Sequence, residues 1–261
     1  MRLLVLLFAL AMPVVAWLSQ AGAFGPDNGT VSDRYPTLLV AAGYAFSIWG
    51  LIFLLDVVYA AWQLGGRRRT DPLLGRIAPA TATGFALTAL WMPLFSQGLF
   101  GLCLLVIFGA LAALAWAAVQ VARAPAIEGG RLWAWLPLSL HAGWLSLAGF
   151  LNLAQAGLAF GWIRPDAQLG ASLVLFLLAA IVLLELNRRM RGNTAYVAAA
   201  LWGLVAVWVE QSRSTLPGAD TAAPVAVVIA VLLLPQTAWL YWRRRSHEGA
   251  RASREDARLS R

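Results

Sequence analysis

Two ionisable side chains lie inside stretches of the sequence that are otherwise apolar. Asp56 interrupts the run "AAGYAFSIWGLIFLLDVVYAAWQ" over residues 41–63, and His141 lies within "LPLSLHAGWLSLAGFLNLAQ" over residues 136–155. A carboxylate inside a membrane is costly and normally faces a cavity or a partner. For Asp56 two interpretations stay open: a ligand or proton site, or a hydrogen bond that fastens helices together. His141 has the same alternatives, as a helix-packing donor or as a ligand contact.

The helical repeat places these two groups on faces that also carry aromatic and amide side chains. Residues three, four and seven apart share one face of a helix. Three mixed faces result: Trp49, Phe53, Asp56 and Ala60; Thr81, Gly84, Thr88 and Trp91; and His141, Leu145, Ala148, Asn152 and Gln155. Such a mixture of aromatic, small and polar groups does not suit contact with lipid tails. We therefore expect the three faces to turn inward, with the amides also able to hydrogen-bond between helices.

Depth along each helix separates these residues into two levels. At a rise of about 1.5 Å per residue, Asp56 and His141 lie roughly 13 Å from the arginine-rich ends of their helices. Trp49, Trp91 and Asn152 lie in the opposite half, beneath the long loop that precedes the second apolar run. The sequence thus predicts an aromatic and amide level above an acid–base level. Equal depth does not by itself establish contact.

The composition is that of an integral membrane protein. Of 261 residues, 61% are hydrophobic and 12% are charged, and the mean hydropathy is +0.71. A soluble domain carries about 25% charged residues. All 20 basic residues are arginines, which cluster between apolar runs and so indicate membrane topology and not a nucleic-acid-binding face. Cys103 is the only cysteine, which excludes an intrachain disulfide and a cysteine metal site.

Eight apolar stretches are long enough to cross a hydrocarbon layer of about 30 Å. They run over residues 3–20, 40–64, 74–96, 98–121, 133–156, 167–187, 194–212 and 222–242. A cytoplasmic N-terminus puts 17 of the 20 arginines on the inner side, as the positive-inside rule requires. We therefore predict an all-α, polytopic bundle of about eight spans with both termini cytoplasmic. Cleavage of the first stretch as a signal peptide is the alternative.

Charged groups near the ends of the spans have ordinary explanations. The arginine-rich segment 243–261 is expected to be a disordered cytoplasmic tail that contacts anionic headgroups. Glu185 and Glu210 lie near helix ends, where contact with headgroups or arginines is expected. The sequence carries no nucleotide-binding glycine pattern, no HExxH and no nucleophile–base pair. It therefore gives no catalytic or metal-binding residue and no reason to assign an enzymatic activity.

Three segments resemble the TspO/MBR family, the tryptophan-rich sensory proteins. They are "YPTLLVAAGYAFSIWGLIFLL" (35–55), "ALTALWMPLFSQGLFGL" (86–102) and "LPLSLHAGWLSLAGFLNLA" (136–154), which follow one another in the family's order. The resemblance covers residues 1–156 and is closest to longer bacterial members with extra C-terminal helices. It implies a five-helix core over 1–156 with an external loop at 21–39, followed by three additional helices over 157–242.

The resemblance also implies a pocket for a hydrophobic ligand such as a tetrapyrrole or a sterol-like lipid, with no obligatory cofactor. Carried over by position, Phe46, Trp49, Trp91 and Asn152 would contact that ligand, with Asp56 standing where the family usually has an apolar residue. Together with the mixed faces, the expected ligand-binding set is Phe46, Trp49, Phe53, Asp56, Trp91, His141, Trp144 and Asn152.

The expected function is that of a receptor or sensor in the bacterial inner membrane. Its expected partners are membrane lipid, the hydrophobic ligand and a second copy of the chain, and no nucleic acid. The alternative is a secondary transporter of a small amphipathic solute, proton-coupled through Asp56. Against it, no internal repeat relates the first four spans to the last four. A membrane enzyme acting on lipid or tetrapyrrole is the least favoured hypothesis.

Overall fold

The computed structural model describes residues 1–125 and 129–259, which form a bundle of α-helices without a β-strand. The helices are α1 (Arg2–Gln20), α2 (Asn28–Asp33), α3 (Ile48–Trp62), α4 (Pro72–Ser96), α5 (Phe100–Arg123), α6 (Leu136–Ala159), α7 (Gln168–Arg189), α8 (Thr194–Gln211) and α9 (Ala219–Leu259). Short 3-10 turns over Gly43–Ser47 and Gly66–Thr70 lead into α3 and α4, and a π-helical turn over Arg131–Trp135 leads into α6. The predicted all-α class is confirmed.

Eight of these helices are long and apolar enough to cross a membrane, which confirms the predicted number of spans. Only the six-residue α2 is too short, and it lies within the predicted loop at 21–39. The tight connection predicted between the third and fourth spans is also present, since α4 ends at Ser96 and α5 begins at Phe100. Gly98 makes this turn with a φ of +70°, a conformation that glycine adopts at little cost.

Side-chain caps fix where α4 and α8 begin. The Asp71 carboxylate accepts a hydrogen bond of 2.9 Å from the backbone N–H of Leu74, and proline follows as the first residue of α4. The Asn193 side chain accepts from the backbone N–H groups of Ala195 and Tyr196, at 3.1 and 3.0 Å. These caps satisfy N–H groups that the first turn of a helix leaves without partners.

Helix α6 forms the centre of the bundle. Within its apolar window 89% of the residues are buried, more than in any other candidate span of the described chain. Small residues let its neighbours approach closely: a Cβ added at Gly143 would lie 2.2 Å from the carbonyl oxygen of Tyr196 on α8. Close contact of this kind is how helices associate when hydrophobic burial cannot drive them together. The functional side chains of α6 are therefore held in a rigid frame.

The long loop between α1 and α3 is attached to α8. The backbone N–H of Ala42 donates to the Ala206 carbonyl at 3.0 Å. The Gln211 amide donates to the carbonyls of Thr37 and Val40, at 3.2 and 3.1 Å. We call the end of the bundle that carries residues 21–47 the loop face. Its assignment to the extracytoplasmic side stays a prediction from the arginine count.

The arginine-rich segment follows the last span directly. Helix α9 continues from the span into this segment and ends at Leu259. Most side chains from residue 244 onward lie outside the described part of the chain, as does His247. The disordered tail over 243–261 and the division at residue 156 therefore stay predictions.

Candidate functional site

A cavity of about 840 Å³ lies between α1, α3 and α4, beneath the loop face. Its aromatic wall is formed by Phe46, Trp49, Phe53 and Trp91. Leu10 of α1 and Leu54 of α3 also line it, and these side chains are 47% and 61% exposed on the outside of the bundle. The cavity therefore reaches the lipid-facing surface between α1 and α3. A molecule dissolved in the bilayer could enter there without crossing the loop.

A narrow crevice continues from the cavity towards α6. Its free volume is about 30 Å³, close to the space of one water molecule. Five of the eight residues expected to bind ligand line this crevice together: Phe46, Trp49, Trp91, Trp144 and Asn152. Phe53 lines the larger cavity. The structure thus brings the aromatic and amide residues of three separate helices to one place.

The aromatic rings of this site are packed against one another. Trp49 stacks on Phe53 with ring centroids 5.1 Å apart, and meets the edge of Trp144 at 5.9 Å. Phe46 also makes an edge-to-face contact with Trp144, at 6.2 Å. Offset-stacked and edge-to-face pairs are the favourable arrangements of aromatic rings. The wall of the cavity is therefore a fixed surface with little freedom to collapse inward.

Trp91 and Asn152 form a hydrogen bond across the α4–α6 interface. The Trp91 indole N–H donates to the Asn152 side-chain oxygen at 2.8 Å, and both residues are buried. The predicted aromatic and amide level is thus a direct contact. Trp144 differs, because its buried indole nitrogen has no acceptor among the described residues. Trp144, which lines the crevice, therefore carries a hydrogen-bond donor that no described residue uses.

Asp56 and His141 form a buried pair below the crevice. Their side chains are fully buried, and 2.7 Å separates Asp56 Oδ2 from His141 Nδ1. The Thr88 hydroxyl donates to the Gly84 carbonyl at 2.9 Å and lies 3.2 Å from His141 Nε2. Because that hydroxyl has only one proton, His141 Nε2–H must be the donor to Thr88. The proton between Asp56 and His141 then lies on either partner, and the pair is neutral overall.

The pair contacts the cavity wall and does not line the cavity. The His141 ring meets the edge of Trp49 at 5.7 Å and stacks on Phe85 at 5.9 Å. The second carboxylate oxygen of Asp56, Oδ1, has no partner in the described chain. The predicted acid–base level thus lies one aromatic ring below the ligand space. Neither Asp56 nor His141 is among the residues that line the cavity or the crevice, and their contact with a ligand stays a prediction.

Sequence reasoning missed the polar residues of the loop that line the cavity. Asn28, at the start of α2, accepts hydrogen bonds from the hydroxyls of Ser96 and Ser19, at 2.9 and 3.3 Å. Asp27 caps the same helix by accepting from the side chain and backbone N–H of Thr30, and these bonds lower the pKa of Asp27. Aspartate is among the residues preferred at a helix N-cap. Asp27 could therefore have indicated the start of α2.

The two glutamates that the sequence assigned to headgroups or arginines have different surroundings. Glu185 pairs with Arg188 and Arg189, each at 2.7 Å, as predicted. Glu210 instead lines the cavity, and no arginine or histidine nitrogen in the described chain lies within 4 Å of it. No pattern along α8 indicates this position, because it depends on which neighbour α8 faces.

The composition of the cavity lining is suited to binding a small molecule. The described residues contain no group of three histidine, cysteine or acidic side chains that could hold a metal ion. The cavity combines a large apolar wall with a few polar groups at its two ends, which is the usual composition of a small-molecule site.

Comparison with known proteins extends the resemblance found in the sequence. The sequence model of a family described as TSPO-like protein matches residues 2–239, which contain seven of the eight candidate spans and most of the eighth. No curated protein and no solved structure matches the chain. The family match, the eight apolar helices and the aromatic residues gathered at the loop face agree with one another. The chain is a multi-pass membrane protein that belongs to the TSPO-like family.

Proposed function

We propose that this protein is a membrane receptor or sensor that binds a hydrophobic small molecule in the cavity between α1, α3 and α4. The observation that carries the proposal is the cavity itself, about 840 Å³ in volume and walled by Trp49, Phe53 and Trp91. Small-molecule sites in proteins typically measure about 300–1,000 Å³. The family resemblance suggests a tetrapyrrole or a sterol-like lipid as the ligand.

The position of the cavity supports an apolar ligand. It reaches the lipid-facing surface between Leu10 and Leu54, so its ligand would arrive from the bilayer. At the loop face, hydrogen bonds from Gln211 hold the loop above the cavity. A site that is accessible from lipid favours molecules that already partition into membranes.

Binding can be measured by tryptophan fluorescence of the purified protein in detergent. The probe is the neutral dimethyl ester of protoporphyrin IX, which presents a tetrapyrrole ring without charge. We expect saturable quenching, with a smaller amplitude in Trp49→Phe because that indole lies in the cavity wall. Trp239→Phe is the matched control, since Trp239 is exposed on α9, far from the cavity lining. Quenching that does not saturate, or that is the same in both variants, would contradict the proposal.

A second variant tests the binding site without removing a fluorescent tryptophan. Asn152→Leu leaves the Trp91 indole N–H without its acceptor and should release that ring from its fixed position. We expect the affinity for the porphyrin ester, followed by its own absorbance, to fall about three- to tenfold, as for loss of one buried hydrogen bond. Cholesterol, added as a competitor, tests the sterol-like alternative in the same titration.

The second candidate function is a secondary transporter that couples solute movement to a proton through Asp56. The observation that favours it is the unpartnered Asp56 Oδ1 at the centre of the bundle, beside a histidine that shares a proton with the same carboxyl group. Uptake into proteoliposomes under a pH gradient tests it. The transporter requires uptake that is lost in Asp56→Asn and retained in Asp220→Asn, a carboxylate at the start of α9. Equal uptake with and without the gradient would exclude proton coupling.

A further inference from the structure

The polar part of the cavity lining is neutral or acidic, with Gln20, Asn28 and Ser32 beside three carboxylates. Three carboxylates line the cavity, Asp27 and Asp33 from the loop and Glu210 from α8, and no arginine or histidine is among its lining residues. In the described chain, no basic nitrogen lies within 4 Å of any of the three. Yet the chain has 20 arginines and a formal net charge of +8. The excess of negative charge at this one place runs against the composition of the whole protein.

The opposite end of the ligand space offers a donor. Trp144 is 1% exposed and lines the crevice that continues from the cavity, and its indole nitrogen has no acceptor among the described residues. A buried donor without an acceptor is costly. The crevice has room for about one small group. The site therefore has negative charge near its mouth, an aromatic wall in the middle and an unused N–H at its closed end.

We propose that the ligand of this cavity is a cationic amphiphile with a ring-containing apolar body, an ammonium-type head and a hydrogen-bond acceptor at its far end. The inference rests on the proposed binding function and specifies the class of ligand. The head lies near Asp33 and Glu210, the body lies against Trp49 and Trp91, and the acceptor meets Trp144. A cation at the mouth gains Coulomb energy from Asp33 and Glu210, and this attraction is screened by water because Asp33 is exposed. The aromatic faces add a cation–π attraction.

The same lining disfavours anionic amphiphiles. A free carboxylate on the ligand would approach three side chains of the same charge and be repelled by them. A tetrapyrrole with ionised propionates is therefore a poor ligand for this chain, whereas its neutral ester is compatible with the wall.

The test compares three probes that share one ring system and differ in charge: 9-anthracenemethylamine, 9-anthracenemethanol and 9-anthraceneacetic acid. Energy transfer from tryptophan to anthracene is measured with the full-length protein in nanodiscs. Gly50→Leu fills the cavity at a position with free space around its Cβ and gives the background from partition into lipid. We expect saturable binding in the order amine, alcohol, acid, with the amine weakened by added salt.

Substitution of the carboxylates isolates the charge. Glu210→Gln and Asp33→Asn should each weaken the amine about three- to tenfold, as expected for losing one charge at roughly 5 Å in surroundings whose effective dielectric constant is close to that of water. Both variants should weaken the amine more than the alcohol. Asp220→Asn is the matched control, because Asp220 lies outside the cavity lining, and it should leave all three probes unchanged.

The outcomes separate this inference from the proposed function. Saturable binding of all three probes with equal affinity, or an amine affinity unchanged in Glu210→Gln and Asp33→Asn, overturns the cationic ligand and leaves the binding site in place. Absence of saturable binding by every probe, with no difference between the native chain and Gly50→Leu, overturns the binding function itself.

Discussion

The Asp56–His141 pair gives the sharpest test of how the bundle is held together. We predict that Asp56→Leu and His141→Leu each destabilise the protein, and that the double variant is far more stable than the two single effects would suggest. Each single change leaves one polar partner alone in a fully buried position, and an unpaired buried group is strongly destabilising. Two leucines fill the same space without a polar group.

The expected loss of stability follows from the distance between Asp56 Oδ2 and His141 Nδ1. At 2.7 Å, two unit charges attract each other by about 6 kcal/mol if the effective dielectric constant is about 20. Desolvation of both groups cancels several kcal/mol of this attraction. We therefore expect each single variant to lose about 3 kcal/mol or more, and a coupling energy of at least about 2 kcal/mol in the double-mutant cycle.

The measurement is the free energy of unfolding in mixed micelles, from SDS titrations followed by circular dichroism. Thr88→Val is the reference variant, because it removes one neutral hydrogen bond to His141. Neutral hydrogen bonds between membrane helices contribute about 0.6 kcal/mol on average. If the effects of Asp56→Leu and His141→Leu add within about 0.5 kcal/mol, the pair is no stronger than that neutral bond. Such additivity would refute the strong coupling that the buried contact predicts.

Three further predictions concern the frame around the site. Gly143→Ala should lower thermal stability in detergent by several degrees, because its Cβ would lie 2.2 Å from the Tyr196 carbonyl oxygen, whereas Gly170→Ala has free space and should be neutral or stabilising. Asp71→Ala removes the N-cap of α4 and should cost about 1 kcal/mol in the same SDS titration. Hydrogen bonds from Thr30 lower the pKa of Asp27. The cap therefore stabilises α2 at pH values above the ordinary carboxyl pKa near 3.8. This stabilisation is lost when Asp27 becomes protonated at lower pH. Hydrogen exchange over residues 28–33, extrapolated to a common intrinsic rate, should therefore increase in acid, and Asp27→Asn should abolish that increase.

The spans and the heights of the polar residues were predictable because both depend on one helix at a time. Apolar runs define the eight spans, and the helical rise alone puts Asp56 and His141 at one depth. Which faces meet depends on how the helices are arranged around α6, and no pattern within α3 or α6 specifies that arrangement. The pairing of Asp56 with His141 therefore required the structure.

The position of Glu210 was also not predictable from the sequence. From the sequence it is a glutamate near the end of a span, with nothing to separate it from Glu185. In the structure Glu185 is paired with Arg188 three residues away, a contact within one helix. Glu210 is placed by the packing of α8 against the loop, a contact between segments more than 160 residues apart. Local interactions were predictable, and distant ones were not.

The attachment of the loop to α8 has a consequence for any shortened form of this protein. A chain ending near residue 160 would keep the aromatic wall of the cavity but would lose Ala206, Glu210 and Gln211. The amide of Ala42 and the carbonyls of Thr37 and Val40 would then lose their partners on α8. Truncation would thus detach the loop beside the cavity and remove one of its lining residues, so α8 belongs to the cavity as much as the helices that carry its aromatic wall.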